Sequence, residues 1–541
     1  MKSAELFVKC LEAEGVEYIF GLPGEENIEL LNALTGSNIR FILTHDERWA
    51  AFMANAYGRL SGRPGVCLST LGPGATNLIT GVADALLDFS PMVAVTGQVG
   101  LSKLHKESHQ YLDILGAFKP MTKWNARIEV AATIPEIIRK AFKTASTEKP
   151  GPTHIEFPED IALLETDGLP LSHEPVRYPE PSDELLSRAS ALIEAAGTPL
   201  ILAGNGVLRS RASKELEQFV SGTGIGVTTT FMGAGALPAD HECFISTVGL
   251  QSRDYVSCGF DRADLIIAVG YDPVEFSPLH WNHDAGKKII HIDVTPSETD
   301  SHYSALDLTG DIRATLSELT GRIHSAKDPS YYRKLKLYAD HALHFSTSGF
   351  PLKPLRIITD MRKALGKSDI LISDVGAHKI WIARFYTAYE ENTAVISNGL
   401  ATMGFAIPSA IAAKLLYPDK KVIAAVGDGG FLMSMCEINT AVRLGLPFVS
   451  LIFNDGGLGL IEWKEKLRFN KDFFVKFRNP DFVKLAESFG AKGYRVGSDD
   501  ELLPVLQEAL TQPVPSVIDC PVDYTENLLL TEKLGRLICP I

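Results

Sequence analysis

The sequence predicts an α/β protein of three consecutive doubly wound parallel-sheet domains, and three observations lead there. Short apolar runs alternate with helix-compatible segments along the whole chain, the pattern of parallel sheets covered by helices. The length of 541 residues matches about three domains of ordinary size. Two breaks, a proline-bearing polar stretch at 169–184 and a second near 325–350, interrupt the alternation. The expected domains are therefore 1–165, 184–325 and 350–541.

In the first third, VEYIF (16–20), IRFILT (39–44), GVCLST (65–70), MVAVTG (92–97) and THIEFP (153–158) read as strands. The middle third repeats the pattern with PLILAGNG (199–206), ADLIIAVG (263–270) and KKIIHIDV (287–294). The last third offers DILISDVG (369–376), TAVISNG (393–399), KVIAAVGDGG (421–430), PFVSLIFND (447–455) and VPSVIDCPVD (514–523). Open parallel sheets bind ligands beyond the carboxyl ends of their strands, so the turns leaving these runs are where chemistry belongs.

Composition narrows the function. A formal charge of −14, with both signs interspersed, opposes nucleic-acid binding as the main role. Seven scattered cysteines without a CxxC pair argue against a disulfide framework or a structural zinc site. The opening segment reads as an amphipathic helix with Ala4, Phe7, Val8 and Leu11 on one face, not as a signal peptide, and no run is long enough for a membrane span. A cytoplasmic location is expected.

The most informative stretch is KVIAAVGDGGFLMSMCEINTAVRLGLPFVSLIFNDGG. One buried run ends at Gly427-Asp428-Gly429-Gly430 and the next at Asn454-Asp455-Gly456-Gly457. Adjacent strands lie about 5 Å apart, so Asp428 and Asn454 come within reach of one cation. A carboxylate, an amide oxygen and a backbone carbonyl suit a hard ion such as Mg2+, which also takes phosphate oxygens. Glycines at 429 and 430 let backbone amides approach a diphosphate closely.

These residues resemble the diphosphate-and-metal motif of thiamine-diphosphate enzymes. The resemblance implies that Asp428, Asn454 and the backbone oxygen of Gly456 hold Mg2+. It extends to THDERWAAFMANAYGRLSGRPGVCLSTLGPGATNL (44–78), where Glu47 stands at the family's catalytic glutamate, followed by Tyr57, the turn Gly72-Pro73-Gly74 and Asn77. In that family the glutamate bonds the cofactor's pyrimidine and promotes loss of the thiazolium C2 proton; the resulting ylid attacks a 2-keto acid, and loss of CO2 leaves an enamine. Pro73, Asn77, His378, Gly399, Met403, Gly429 and Gly430 fall at cofactor-contacting positions, and Gln110 at a glutamine that reaches the active site. The family usually has His-Glu where this chain has Asp46-Glu47, and Asn-Asn where it has Asn454-Asp455.

Among these enzymes the chain is most similar to flavin-independent, catabolic acetolactate synthases. Flavin-containing relatives carry an Arg-Phe-Asp-Asp-Arg run after the strand ADLIIAVG, where this chain has Tyr271-Asp272-Pro273-Val274-Glu275-Phe276. Gly204-Asn205-Gly206 is only a weak dinucleotide signal, equally a tight turn. The implied reaction joins two pyruvates into 2-acetolactate with release of CO2, using thiamine diphosphate and Mg2+ without FAD. Leu458 and Lys464 depart from the tyrosine and glutamine of the catabolic enzymes, so the substrate pocket leaves a decarboxylase, or a carboligase with another donor or acceptor, as the alternative. The family's architecture implies a homodimer at least, and for catabolic members a homotetramer.

Overall fold

The computed structural model describes residues 1–173, 176–249, 255–341 and 345–532. It contains three six-stranded sheets, every pairing parallel. The first comprises β1 (Tyr18–Gly21), β2 (Arg40–Leu43), β3 (Gly65–Ser69), β4 (Met92–Gln98), β5 (Trp124–Arg127) and β6 (Pro152–Pro158), in the order β2-β1-β3-β4-β6-β5. The second comprises β7 (Pro199–Ala203), β8 (Gly226–Thr229), β9 (Phe244–Thr247), β10 (Leu265–Val269), β11 (Lys288–Asp293) and β12 (Leu306–Thr309), in the order β12-β11-β10-β7-β8-β9. The third comprises β13 (Ile370–Ser373), β14 (Ala394–Ile396), β15 (Val422–Gly427), β16 (Val449–Asn454), β17 (Lys492–Arg495) and β18 (Ser516–Pro521), in the order β14-β13-β15-β16-β18-β17.

The chain forms two compact units. One holds Met1–Arg177 with Gly399–Asp419 and Met433–Leu446; the other holds Tyr178–Asn398, Lys420–Leu432 and Pro447–Ile541. Central strands such as β3, β4, β7 and β10 are buried at every position, which explains their unbroken apolar runs. The helix Ser330–His341, at the second expected break, sends Tyr332 and Leu335 into the core beside β7 and β10. Six cysteines are free, as expected, and Cys539 lies outside the described residues. Among the described residues no helix is long and apolar enough to cross a membrane.

The middle sheet has the strand order of dinucleotide-binding folds, with β7 beside β10 where the order reverses. There the glycine turn serves packing. A Cβ on Gly206 would lie 2.5 Å from the Gly270 Cα, and the Gly206 amide donates to the Gly270 carbonyl at 2.8 Å. The tight-turn reading of Gly204-Asn205-Gly206 describes this geometry.

One buried histidine predicts an acid response. His154 on β6 is fully buried, within 2.8 Å of the Thr96 hydroxyl and stacked on Phe118 at 4.1 Å. Burial lowers its pKa from 6.5 to about 3, so the folded protein holds it neutral while the unfolded chain protonates. Its contribution is complete above pH 6.5 and is lost as pH falls towards 3, at a limiting slope of about 1.4 kcal/mol per pH unit. H154N is expected to show a shallower fall of melting temperature through this range; a curve parallel to wild type would refute the assignment.

Candidate active site

The first group of site residues lies in the unit containing the first sheet. Asp46 caps the helix Glu47–Ser61, its carboxylate accepting the Arg48 amide at 2.7 Å, so Glu47 is the first helical residue. Ala50, Ala51 and Ala54 let this helix bury closely, and a Cβ on Gly81 of the helix Pro73–Leu87 would stand 2.5 Å from the Ala51 Cβ. That packing brings Asn77 to Glu47: the Asn77 amide donates to Glu47 Oε2 at 3.0 Å. Glu47 is only 6% exposed, a buried carboxyl held by one neutral donor.

The glycine turn completes the cradle. Gly72 has φ +48, and a Cβ there would meet the Gln110 carbonyl at 2.6 Å; a Cβ on Gly74 would come within 3.0 Å of Glu47 Oε1. Gln110, exposed and at φ +56, thus stands over the turn that faces Glu47. Its segment is a loop rather than a surface helix, tied down by Gln98 donating to the Leu112 carbonyl at 3.2 Å. Pro73 is exposed at the start of its helix. Gly399 joins the same group: its amide donates to Asp88 Oδ1 at 2.7 Å, and a Cβ would lie 2.2 Å from the Leu87 carbonyl. Gly404, at φ +91, presses on the Trp49 ring, and half-buried Met403 lies just before it.

The second group lies at the carboxyl ends of β15 and β16 in the other unit. Gly427 pairs with Phe453, so Asp428 and Asn454 leave adjacent strands at the same level. Asp428, 1% exposed, accepts the Gly429 amide on Oδ1 and the Gly456 amide on Oδ2, each at 2.8 Å. Asn454 donates to Asp519 Oδ1 at 2.7 Å, and Arg495 holds that carboxylate at 3.0 Å, which turns the Asn454 oxygen away from Asp519. The Asn479 amide nitrogen then bridges Asp428 Oδ2 at 2.7 Å and Asn454 Oδ1 at 2.9 Å. The two expected ligand oxygens therefore converge on one point. The Gly456 carbonyl already accepts the Phe477 amide at 3.1 Å, leaving its second lone pair for another partner. Burial, then the neighbouring Asp428 charge, pushes the Asp455 carboxyl up to about 7.

His378 stacks on Phe453 at 5.2 Å, its ring against Gly376 and Gly427. Burial lowers its pKa to about 3, so the imidazole is neutral. His378 Nε2 and Asn479 Oδ1 are buried polar atoms without a partner among the described residues. Buried acceptors without a partner fit a site completed by a cation or a hydrogen-bond donor beside Asp428. Leu458 precedes the helix Gly459–Phe469 and is half-buried, whereas Lys464 lies on its exposed face. The cavity of about 420 Å³ beside Asp455 is lined instead by Glu462, Trp463, Lys466, Lys476 and Tyr524. Sequence reading missed Asn479, Asp519 and Arg495. Only Asp519, a carboxylate inside the apolar run VIDC, carried a visible signal.

Comparison with known proteins gives the same picture. Residues 1–117 match the N-terminal TPP binding domain of thiamine pyrophosphate enzymes, 186–319 their central domain and 374–520 their C-terminal TPP binding domain. An acetolactate synthase of Bacillus subtilis is 35% identical over 549 residues, covering 99% of this chain and 96% of its own length. A catabolic acetolactate synthase of Raoultella terrigena is 36% identical, covering 98% and 97%. A probable acetolactate synthase large subunit of Methanocaldococcus jannaschii is 37% identical, covering 99% and 94%. With three thiamine pyrophosphate domains in order and relatives matched end to end, the chain belongs to the acetolactate synthase family of thiamine-diphosphate-dependent enzymes.

Proposed function

We propose that this enzyme condenses two pyruvates into 2-acetolactate and CO2, with thiamine diphosphate and Mg2+ and without flavin. The observation that carries the reading is the division of labour between two residue sets: a buried carboxyl clamped by one amide at Glu47–Asn77, and converging oxygens at Asp428–Asn454. Thiamine diphosphate, when bound, supplies an acidic ring carbon that attacks a keto carbon and a cationic ring that takes up the electrons released with CO2. Glu47 exchanges a proton with the pyrimidine edge while Asn77 fixes Oε2, so that Oε1 faces the turn. Asp428, Asn454 and the Gly456 carbonyl would hold the cation, and the backbone at Gly429 and Gly430, with His378 beside it, would face the diphosphate. Gly399 and Met403 line the cofactor's path with Pro73, and Gln110 meets the substrate.

Independence from flavin is supported by the sequence after β10, where Tyr271-Asp272-Pro273-Val274-Glu275-Phe276 stands in place of the Arg-Phe-Asp-Asp-Arg run of flavin-containing relatives. We further propose a homodimer at least, and a homotetramer by analogy with catabolic members, measurable by light scattering. Leu458 and exposed Lys464 favour one second reading, in which the donor step is kept and the acceptor differs.

The test is acetolactate formation from pyruvate by dialysed enzyme. Product is expected only when thiamine diphosphate and Mg2+ are both restored, with FAD omitted. CO2 or acetaldehyde without acetolactate would support the second reading, and no turnover of pyruvate would refute both.

A further inference from the structure

We infer that Gln98 is a positioning residue for the carboligation, a side-chain clasp that closes the loop carrying Gln110 and is itself held in place by the buried pair Glu156–Arg127. This rests on the proposed contact of Gln110 with the substrate.

Side chains alternate between the two faces of a strand, and the paired registers of β4, β6 and β5 put Thr96, Gln98, His154, Glu156, Asn125 and Arg127 on one face. Val93, Val95, Ile155 and Phe157, on the other face, belong to the apolar core. The polar face holds one segment by contacts three residues apart. Gln98 donates to the Leu112 carbonyl at 3.2 Å, Asn125 donates to the Leu115 carbonyl at 2.7 Å, and His154 stacks on Phe118.

Gln98 is fully buried, and both ends of its carboxamide are used. The Val99 amide donates to Oε1 at 3.0 Å, which aims Nε2 at two acceptors, the Leu112 carbonyl and, at 3.3 Å, Glu156 Oε2. Two N–H groups thus meet two acceptors. Glu156 is fully buried as well. Burial raises its pKa above the usual carboxylate value, and Arg127, which donates to Oε1, opposes that rise. A buried ion pair contributes little net stability, and its best-attested use is to fix register. Here it fixes the acceptor that orients Gln98.

The loop is fastened at both ends. At its start Glu159 accepts the Gly100 amide at 3.2 Å and Lys103 Nζ at 2.8 Å, and Asp160 accepts the Leu101 amide at 2.8 Å. At its end the clasp on Leu112 stands two residues beyond Gln110, whose backbone lies against the Gly72 turn. Every residue from 104 to 112 is exposed or half-buried, so the clasp, rather than core packing, sets where Gln110 stands. With the clasp removed, the first pyruvate still loses CO2 but the second meets a displaced Gln110. A proton then takes the place of the second pyruvate, and acetaldehyde leaves.

Q98M keeps the length of the side chain and removes both N–H groups. It is expected to release CO2 from pyruvate at close to the wild-type rate and to raise the ratio of acetaldehyde to acetolactate about 10- to 100-fold, the cost of an ångström-scale misplacement. Q110A should shift the ratio in the same direction, and the double variant no further, because residues acting through one another are not additive. Hydrogen exchange should quicken in peptides covering 103–112 and stay unchanged in the helix Glu47–Ser61. An unchanged ratio in Q98M, or additive shifts in the double variant, would overturn the inference. Exchange quickened in both places would do the same, by making Gln98 a residue of general stability. Absence of acetolactate from the wild type, or an unchanged ratio in Q110A, would overturn the reading on which the inference rests. A shifted ratio in Q110A beside an unchanged one in Q98M would sink the inference alone.

Discussion

E47Q is expected to fold normally, bind thiamine diphosphate with near wild-type affinity and lose acetolactate formation by about 10²- to 10⁴-fold, the range for removing a positioned acid–base group. The substitution keeps the shape of the side chain, and its amide oxygen can still accept the Asn77 donor that holds Glu47 Oε2 at 3.0 Å. What it removes is the exchangeable proton at a carboxyl only 6% exposed, where solvent has little room to substitute. Steady-state acetolactate assays with calorimetry of cofactor binding check it. A rate within a few-fold of wild type would refute the proton-carrying role, and a large loss of cofactor affinity would recast Glu47 as a binding residue.

D428N should fail differently. The carboxylate accepts donors from Gly429, Gly456 and Asn479 among others, and gives the converging oxygens their charge. An asparagine offers one oxygen, so at least one of those donors faces an NH2 group. Metal-dependent binding of thiamine diphosphate is expected to weaken by at least about 100-fold, beyond what loss of an outer-shell partner usually costs. High Mg2+ and cofactor should restore part of the activity of D428N and none of that of E47Q. Equal rescue of both, or unaltered binding by D428N, would refute the separation of roles.

The sequence displayed the fold wherever a strand is buried on both faces, and failed mostly at the margins. Four of the strands absent from the sequence reading, β5, β9, β12 and β17, stand at sheet edges. WNAR and KGYR hold no fully buried residue, so neither had a reason to be an apolar run. The fifth, β8, is wholly buried yet reads GVTT, its threonines hiding it from a hydrophobicity pattern. In the site, Asp428 and Asn454 were legible because strand ends and glycine turns mark themselves in sequence. Asn479 was not. It reaches the cluster through pairing of 475–477 with 456–458, a tertiary contact with no local signature.

The first and third sheets run in the same strand order, while the middle sheet does not. Counted from the start of each, the second strand leads to Glu47 in one and to Gly399–Met403 in the other. The third leads to the turns at Gly72–Gly74 and Asp428–Gly430, and the fourth to the Gln110 loop and to the loop after Asn454. The helices that follow the second strands, Glu47–Ser61 and Ala406–Leu416, are topological counterparts, and they meet face to face with Phe52 edge-on to Phe405. One strand plan is thus used twice in the chain, with a carboxyl group after its second strand in the first sheet and after its third strand in the last.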